Sequence, residues 1–399
     1  MLVSTIELFA RGRRADRLGI KGTDHLRLDW PAMISRKDEI VASWSMSKNE
    51  TPAKLGIPAL RGHATFTGTG AHEIAVGDRN YSAEKFVIAT GSKPARPPIP
   101  GAELAITSDE LLHLKEQPAK MVVVGGGFIG LEFGFALARA GTKVTILQSG
   151  PQIGPALDSD IRNLLLECAK EAGMTIKTNV KVIGIGKNKT VEAEIGGAKE
   201  SFPADQVLLA TGRPSNVAPL KPETANIELD HGAVKVNDYL QSVSAPHVYA
   251  AGDAAGKHQH SPVAWYEGPL AAHNALKGNE RKVDFSVFPS AIFTIPAIGQ
   301  VGLTEEEALK RGINAKTSKL PYEYNPVAGV RDETEGLVKV IYEAATEKIL
   351  GVHVIGAHAE DIVQIAAMAV KGGLKKSEVG AMHYVFPTFG GAIFDTMAA

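Results

Sequence analysis

The chain has 399 residues, 44% of them apolar, and a formal net charge of −1. That length allows two or three domains with sizeable cores, and the balanced charge supplies no strong field for nucleic acid or an anionic membrane surface. Cys168 is the sole cysteine, so no intrachain disulfide can form, which fits a cytoplasmic location.

Met1 to Arg14 has no long apolar core and no small-residue cleavage site, so no signal peptide is expected. The pattern predicts a helix over 4–17, with Ile6, Phe9 and Leu18 loosely on one side, beginning with no strand before it. The basic run Arg11-Gly12-Arg13-Arg14 reads as a solvated helix face. A second helix is expected over 31–48, opened by Pro31, a favoured first-turn residue. Short strands follow over 59–91 and end in Lys85-Phe86-Val87-Ile88-Ala89-Thr90-Gly91. The Pro-rich stretch 94–100 reads as a domain boundary.

Residues 119–239 read as a self-contained α/β unit: strand 121–124, helix 128–140, strand 143–148 and helix 158–172. Met121 to Ala138 is apolar enough to mimic a membrane span, but Gly125, Gly126, Gly127, Gly130, Glu132 and Gly134 split it into strand and helix. Short strands then lead to Gln206-Val207-Leu208-Leu209-Ala210-Thr211-Gly212, and a helix is expected over 263–276. The remainder reads as α+β: a strand at 290–294, strand 337–342 pairing with 348–355, and an amphipathic helix over 359–372 with a large surface to cover.

Three nucleotide-binding signals stand in order. Val122-Val123-Val124-Gly125-Gly126-Gly127-Phe128-Ile129-Gly130 is strand, turn and helix start. Gly125 permits the tight turn, Gly127 lets backbone approach a pyrophosphate, and Gly130 lets the helix pack on the strand. The next strand ends at Gln148, where an acid would favour NAD and a nearby Arg NADP, so the preference stays open. Two apolar strands end alike, Ala89 to Gly91 and Ala210 to Gly212, each followed by a basic residue and Pro. Finally, Ala251-Gly252-Asp253 ends a buried strand with an acid suited to a polyol chain, or to capping a helix. The layout reads as two nested, three-layer Rossmann-like dinucleotide domains plus a C-terminal α+β domain. The first domain is expected to be incomplete, because two such domains need two Gly-rich turns and the sequence holds one.

These motifs resemble the flavin-dependent pyridine nucleotide–disulfide oxidoreductases, such as glutathione reductase, dihydrolipoamide dehydrogenase and mercuric reductase. Further shared stretches are Ile88 to Pro94, Thr107-Ser108-Asp109-Glu110, Phe293-Thr294-Ile295-Pro296, Val301 to Glu305, Lys348 to Gly351 and Pro387-Thr388. The resemblance implies a partial FAD domain (1–115 and 240–285), an inserted NAD(P) domain (116–239) and a homodimerising domain (286–399). It implies that Asp253, with Gly252, binds the flavin ribityl chain, that Thr90 and Gly91 lie near FAD, and that Ala64 lies near its adenine. Gly125, Gly127, Ile129 and Gly130 would cradle NAD(P) phosphates, Gln148 would meet the ribose, and Val182 and Gly212 would approach the adenine and nicotinamide sides. Glu132 would sit below the flavin ring.

Two departures from the family pattern bear on mechanism. Its first Gly-rich turn, redox Cys pair and following Lys all precede the segment that Leu2-Val3-Ser4 resembles, so an N-terminally truncated form is expected. Cys168, on an apolar helix side, reads as core. The family's proton-handling His and Glu around Pro-Thr are Phe386 and Gly391 here, and His383 is a weak substitute. His258 and His260 lack further metal ligands. The expected activity is hydride transfer from NAD(P)H through FAD to a small acceptor, such as a quinone or metal ion, without the usual thiol–disulfide residues. Alternatives are a non-catalytic dimeric NAD(P)-binding protein or an inactive fragment.

Overall fold

The computed structural model describes residues 1–68 and 72–399. They form two compact units, one of 1–38, 96–211 and 285–399, the other of 39–95 and 212–284. The architecture is two Rossmann-like α/β domains with a C-terminal α+β sheet.

In the first unit, four parallel strands stand in the order Gln206–Leu209, Lys120–Val124, Lys143–Leu147, Thr175–Lys177. Successive side chains of a strand point to opposite faces, and Lys120–Val124 shows the consequence. Met121 and Val123 pack with Leu131 and Phe135 of helix Phe128–Arg139 and with Leu165 and Cys168 of helix Ser159–Glu171. Val122 and Val124 pack the other way, with Val180, Val191 and Ala193 of a three-stranded antiparallel sheet. The domain is therefore helix, sheet, sheet. A strand buried on both faces must be a continuous apolar run, which explains the three valines. Leu2, Ile6, Trp30, Met33 and Ile34 join the helix-side core.

The same unit contains a five-stranded antiparallel sheet ordered Ser290–Ile292, Ile298–Gly302, Ile349–Ile355, Leu337–Glu343, Ala315–Pro321. Val338, Val340, Val352 and Val354 meet Ile362, Val363 and Ala366 of helix Ala359–Gly372. Lys339 and His353 are register partners, and alternation turns both to the opposite face. There Lys339, fully buried, donates to both oxygens of fully buried Asp158 at 2.9 Å, and to Asp160 and Glu305 at 2.6 Å. Asp158 also caps helix Ser159–Glu171 through the Asp160 N–H. Burial opposes the charge on Lys339, but the hydrogen bonds it donates to Asp160, Glu305 and Asp158 outweigh it and hold its pKa above the ordinary lysine value. Burial keeps His353 beside it below the ordinary histidine value, hence neutral.

In the second unit, strands Phe86–Ile88 and Val248–Ala250 pair in parallel. Strands Ala64–Phe66, Glu73–Val76 and Arg79–Ser82 form an antiparallel meander. Phe66, Ile88, Val248 and Ala250 share its core. Helix Ser261–Lys277 packs Ala271 and Ala275 against Tyr249 and Ala251.

Two helix boundaries differ from the sequence reading. The first helix is Leu2–Arg14; Leu18 lies in a 3-10 turn that follows from Ala15 and is exposed, because the tighter turn breaks the 3.6-residue spacing. The second runs Trp30–Lys54, past the polar stretch where the pattern fades, with a Glu50–Lys54 ion pair across its last turn. No helix among the described residues is long and apolar enough to cross a membrane.

Replacing Lys339 by Ala leaves Asp158 buried and uncompensated. The expected loss is about 3–5 kcal/mol in urea unfolding, and Lys339→Met combined with Asp158→Asn recovers most of it. Asp160, whose two lysine partners hold it below the ordinary aspartate value despite burial, contributes stability above its unfolded pKa that is lost as pH falls through the lower folded one. The Lys339 contribution is lost in alkali, as pH rises through its raised folded pKa.

Candidate nucleotide sites

Residues Gly125 to Gly130 bring three backbone segments into contact. Gly125 has φ 114°, and a Cβ there would stand 2.3 Å from the Ala210 carbonyl oxygen. A Cβ on Gly130 would stand 2.0 Å from the Gly125 carbonyl oxygen. Both glycines are required by backbone on backbone. Gly127 differs: a Cβ there meets nothing within 4 Å, so its backbone faces open space. Gly127 is the N-cap of helix Phe128–Arg139, with no side-chain cap. The N–H groups of the first turn, Ile129 among them, lack intrahelical acceptors and lie at the positive end of the helix dipole.

Gln148, at the end of the next strand, reaches back to this turn, where its Oε1 accepts the Gly126 N–H at 2.8 Å. Gly126 was not singled out by the motif, yet a Cβ there would stand 2.9 Å from Ile153. Its glycine neighbours were the available signal. Glu132, one turn into the helix, accepts the Phe293 N–H at 2.9 Å, and burial lifts its carboxyl above the ordinary glutamate range. Val182 lies in strand Val180–Ile185 of the antiparallel sheet, half-buried against Val122, Val124 and Leu147 rather than in the glycine turn.

The second unit gathers Thr90, Gly91, Gly212, Gly252 and Asp253. The segments that follow the two Ala-Thr-Gly turns form a short antiparallel ladder: Asn216 N–H to Gly91 O (2.8 Å), Lys93 N–H to Pro214 O (3.1 Å), Ala95 N–H to Gly212 O (2.9 Å). Ser92 in this ladder donates to Asp253 Oδ2, Arg213 Nε donates to Ser92 Oγ at 3.0 Å, and the Ser215 hydroxyl donates to the Asp253 carbonyl. Asp253 Oδ1 takes no hydrogen bond among the described residues. Thr90 is exposed beside this network. Ala64 lies in strand Ala64–Phe66 of the meander, paired with Val76. Ser92, Arg213 and Ser215 escaped the sequence reading; the only hint was a polar residue near each repeated Gly.

Cys168 is buried, and its thiol pKa is pushed up to about 12, chiefly by burial and then by nearby carboxylates. Phe386 is 63% exposed. Gly391 admits the Tyr384 ring, which a Cβ would meet at 2.9 Å, and Tyr384 stacks on Phe394. Its place is thus built around an aromatic pair, not an acid. His383 is exposed and forms no ion pair among the described residues. His258 and His260 are half-buried, and burial lowers both pKa values. Among the described residues no group of three or more His, Cys, Asp and Glu is placed to hold a metal. The Arg11–Arg14 run is not simply a solvated face. Arg11 pairs with Glu333 and Arg14 with Glu335, which also binds Arg139, because a spacing of three turns both toward the same side.

The model of the pyridine nucleotide-disulphide oxidoreductases matches residues 46–276, and that of their dimerisation domain matches 288–396. The chain belongs to this family. It is 36% identical over 353 residues to a mercuric reductase of Staphylococcus aureus, covering 87% of this chain and 64% of that protein. It is also 36% identical over 353 residues to a dihydrolipoyl dehydrogenase of Thermus scotoductus, covering 86% of this chain and 75% of the relative. The fold superposes on the Cu(II) complex of the HOCl-induced flavoprotein disulfide reductase RclA from Escherichia coli. The TM-score is 0.87 at 27% identity, covering 100% of this chain and 88% of the other. With Cys168 alone, this sequence has no cysteine pair.

The two outer glycines and the middle one predict opposite phenotypes. Gly130→Ala is expected to destabilise by about 2 kcal/mol or more, since backbone must move. Gly127→Ala is expected to cost less than about 1 kcal/mol while weakening NAD(P)H binding roughly tenfold, about 1.4 kcal/mol. Thermal unfolding and nucleotide titration separate the two. For Cys168, a disulfide reagent at pH 8 should label native protein negligibly and denatured protein with one equivalent, because the buried thiol stays protonated.

Proposed function

We propose that this chain acts as an FAD-dependent NAD(P)H oxidoreductase of the cytoplasm, paired with a second copy and without the usual thiol–disulfide residues. The observation that carries the reading is the open backbone at Gly127, flanked by two glycines that sterics alone require. Its domains are 1–115 with 240–285 for the flavin, 116–239 for NAD(P)H and 286–399 for pairing with a second copy. The chain spans about 64% of the mercuric reductase of Staphylococcus aureus that it matches.

The residues present suit both dinucleotides in part. The N–H groups of Ile129 and Gly130, in the first turn of the helix that Gly127 caps, suit a pyrophosphate. Gln148, with Oε1 engaged on Gly126, has its amide NH₂ left as a donor, which tolerates a ribose hydroxyl or a 2′-phosphate. For the flavin, Asp253 offers Oδ1 to a polyol hydroxyl while Ser92 holds Oδ2. Thr90 and Gly91 complete that side, and the family resemblance assigns Ala64 to the adenine. The ADP half of a flavin calls for a second Gly-rich turn, and the sequence holds one such turn.

A bound flavin supplies the two-electron acceptor for the nicotinamide hydride. The protein's share is to hold phosphates at the Gly125 turn, to orient hydroxyls at Asp253 and to keep Glu132 protonated to a higher pH than a surface glutamate. With Phe386 and Gly391 at the family's proton-handling positions, thiol–disulfide exchange has no base here. The acceptor is therefore a small quinone-like compound or metal ion. The rival reading is a dimeric NAD(P)-binding protein without flavin chemistry.

A visible spectrum after incubation with FAD and desalting distinguishes them. A retained flavin band that bleaches with NADH or NADPH supports the oxidoreductase; protein that binds nucleotide but retains no flavin establishes the rival. Gln148→Glu keeps the acceptor for Gly126 but replaces the donor NH₂ by a charge. It is expected to lower NADPH affinity about tenfold or more relative to NADH, by repulsion of the 2′-phosphate.

A further inference from the structure

Helix Ser261–Lys277 presents Val263, Glu267, Ala271 and Ala275 inward at intervals of four, with buried Asn274 beside them, so an acid stands in an i, i+4 row that is otherwise apolar. Glu267 is 1% exposed. Its Oε2 accepts the Gly252 N–H at 2.7 Å, while its Oε1 is buried with no hydrogen-bond partner. Keeping a carboxyl in such a place is costly, and an apolar residue would suit the row. Gly252 has φ 63°, and a Cβ there would stand 2.9 Å from Ala264 Cβ on the same helix. The turn is thus pressed onto the helix by one hydrogen bond and one close approach. The next residue is Asp253.

We infer that Glu267 is a positioning residue for Asp253: through the Gly252 N–H it fixes the turn that presents the Asp253 carboxylate to a polyol hydroxyl. The assignment rests on the flavin reading for its ligand and on the geometry of one buried contact for its action. Ser92 holds one carboxylate oxygen from the front and Ser215 holds the carbonyl. Glu267 anchors the backbone from behind. Lys257 and Asp253 are the charged groups that face it, with opposing effects, and burial raises its pKa.

The test compares Glu267→Ala, which removes the acceptor, with Glu267→Gln, which retains one. Native-state hydrogen exchange of Gly252 to Ala254 is read beside equilibrium FAD titration, with NAD(P)H affinity at the Gly125 turn as the folding control. Glu267→Ala is expected to speed exchange at Gly252 about tenfold or more and to weaken FAD about tenfold. Glu267→Gln should restore both to within about threefold, and NAD(P)H affinity should hold in both. Unchanged exchange at Gly252 in Glu267→Ala overturns the assignment. So does equal damage to NAD(P)H binding in both variants, which indicates a merely structural role. If the parent protein binds no FAD yet exchange responds as expected, the positioning stands and the flavin reading falls.

Discussion

The parallel-sheet domain of the first unit is arranged around a place where no side chain fits. At Gly125 the end of one strand, the start of a helix and the carbonyl of Ala210 on the neighbouring strand come together at separations that exclude even a methyl group. Because the helix must lie that close, Leu131 and Phe135 reach the strand's valine face, and the antiparallel sheet can cover the other face. Gly127, between Gly125 and Gly130, stays clear, so closely packed and open backbone stand side by side in the same short turn.

The Gly-rich turn, the repeated Ala-Thr-Gly strands and the C-terminal sheet were legible in the sequence because each is set by local rules: backbone sterics, period-two alternation and helical periodicity. Lys339 was not. In Leu337–Glu343 a lysine between valines reads as solvent-facing, and only the packing of helix Ser159–Glu171 over that face makes it a buried ion. Arg11 and Arg14 misled in the same way, since their partners lie more than 300 residues away in the chain. Glu267 did leave a trace, an acid in an otherwise apolar i, i+4 row, but its partner is a backbone N–H that no sequence pattern announces.

The candidate site divides along the same line. The glycines that close backbone contacts require, Gly125 and Gly130, could be named in advance from their spacing. The residues around Asp253 could not, because Ser92 and Ser215 reach it, and Glu267 reaches the preceding Gly252, from three separate stretches of chain. The loss of the family's base and acid is also more than two point changes. Gly391 now accommodates the Tyr384–Phe394 stack, so restoring a glutamate there would require that aromatic pair to be rebuilt.

The ladder joining residues 91–95 to 212–216 has a consequence for the chain as a whole. Departure and return of the 96–211 segment are hydrogen-bonded to each other, through Ala95 and Gly212. A long excursion normally carries a closure entropy that grows with its length; here its two ends are zipped at ordinary strand spacing, roughly 5 Å. Topologically the segment is a cassette. Its loops can be lengthened while residues 91–95 and 212–216 keep their pairing, but its core is shared with residues 1–38 and 285–399, so those segments must be kept with it.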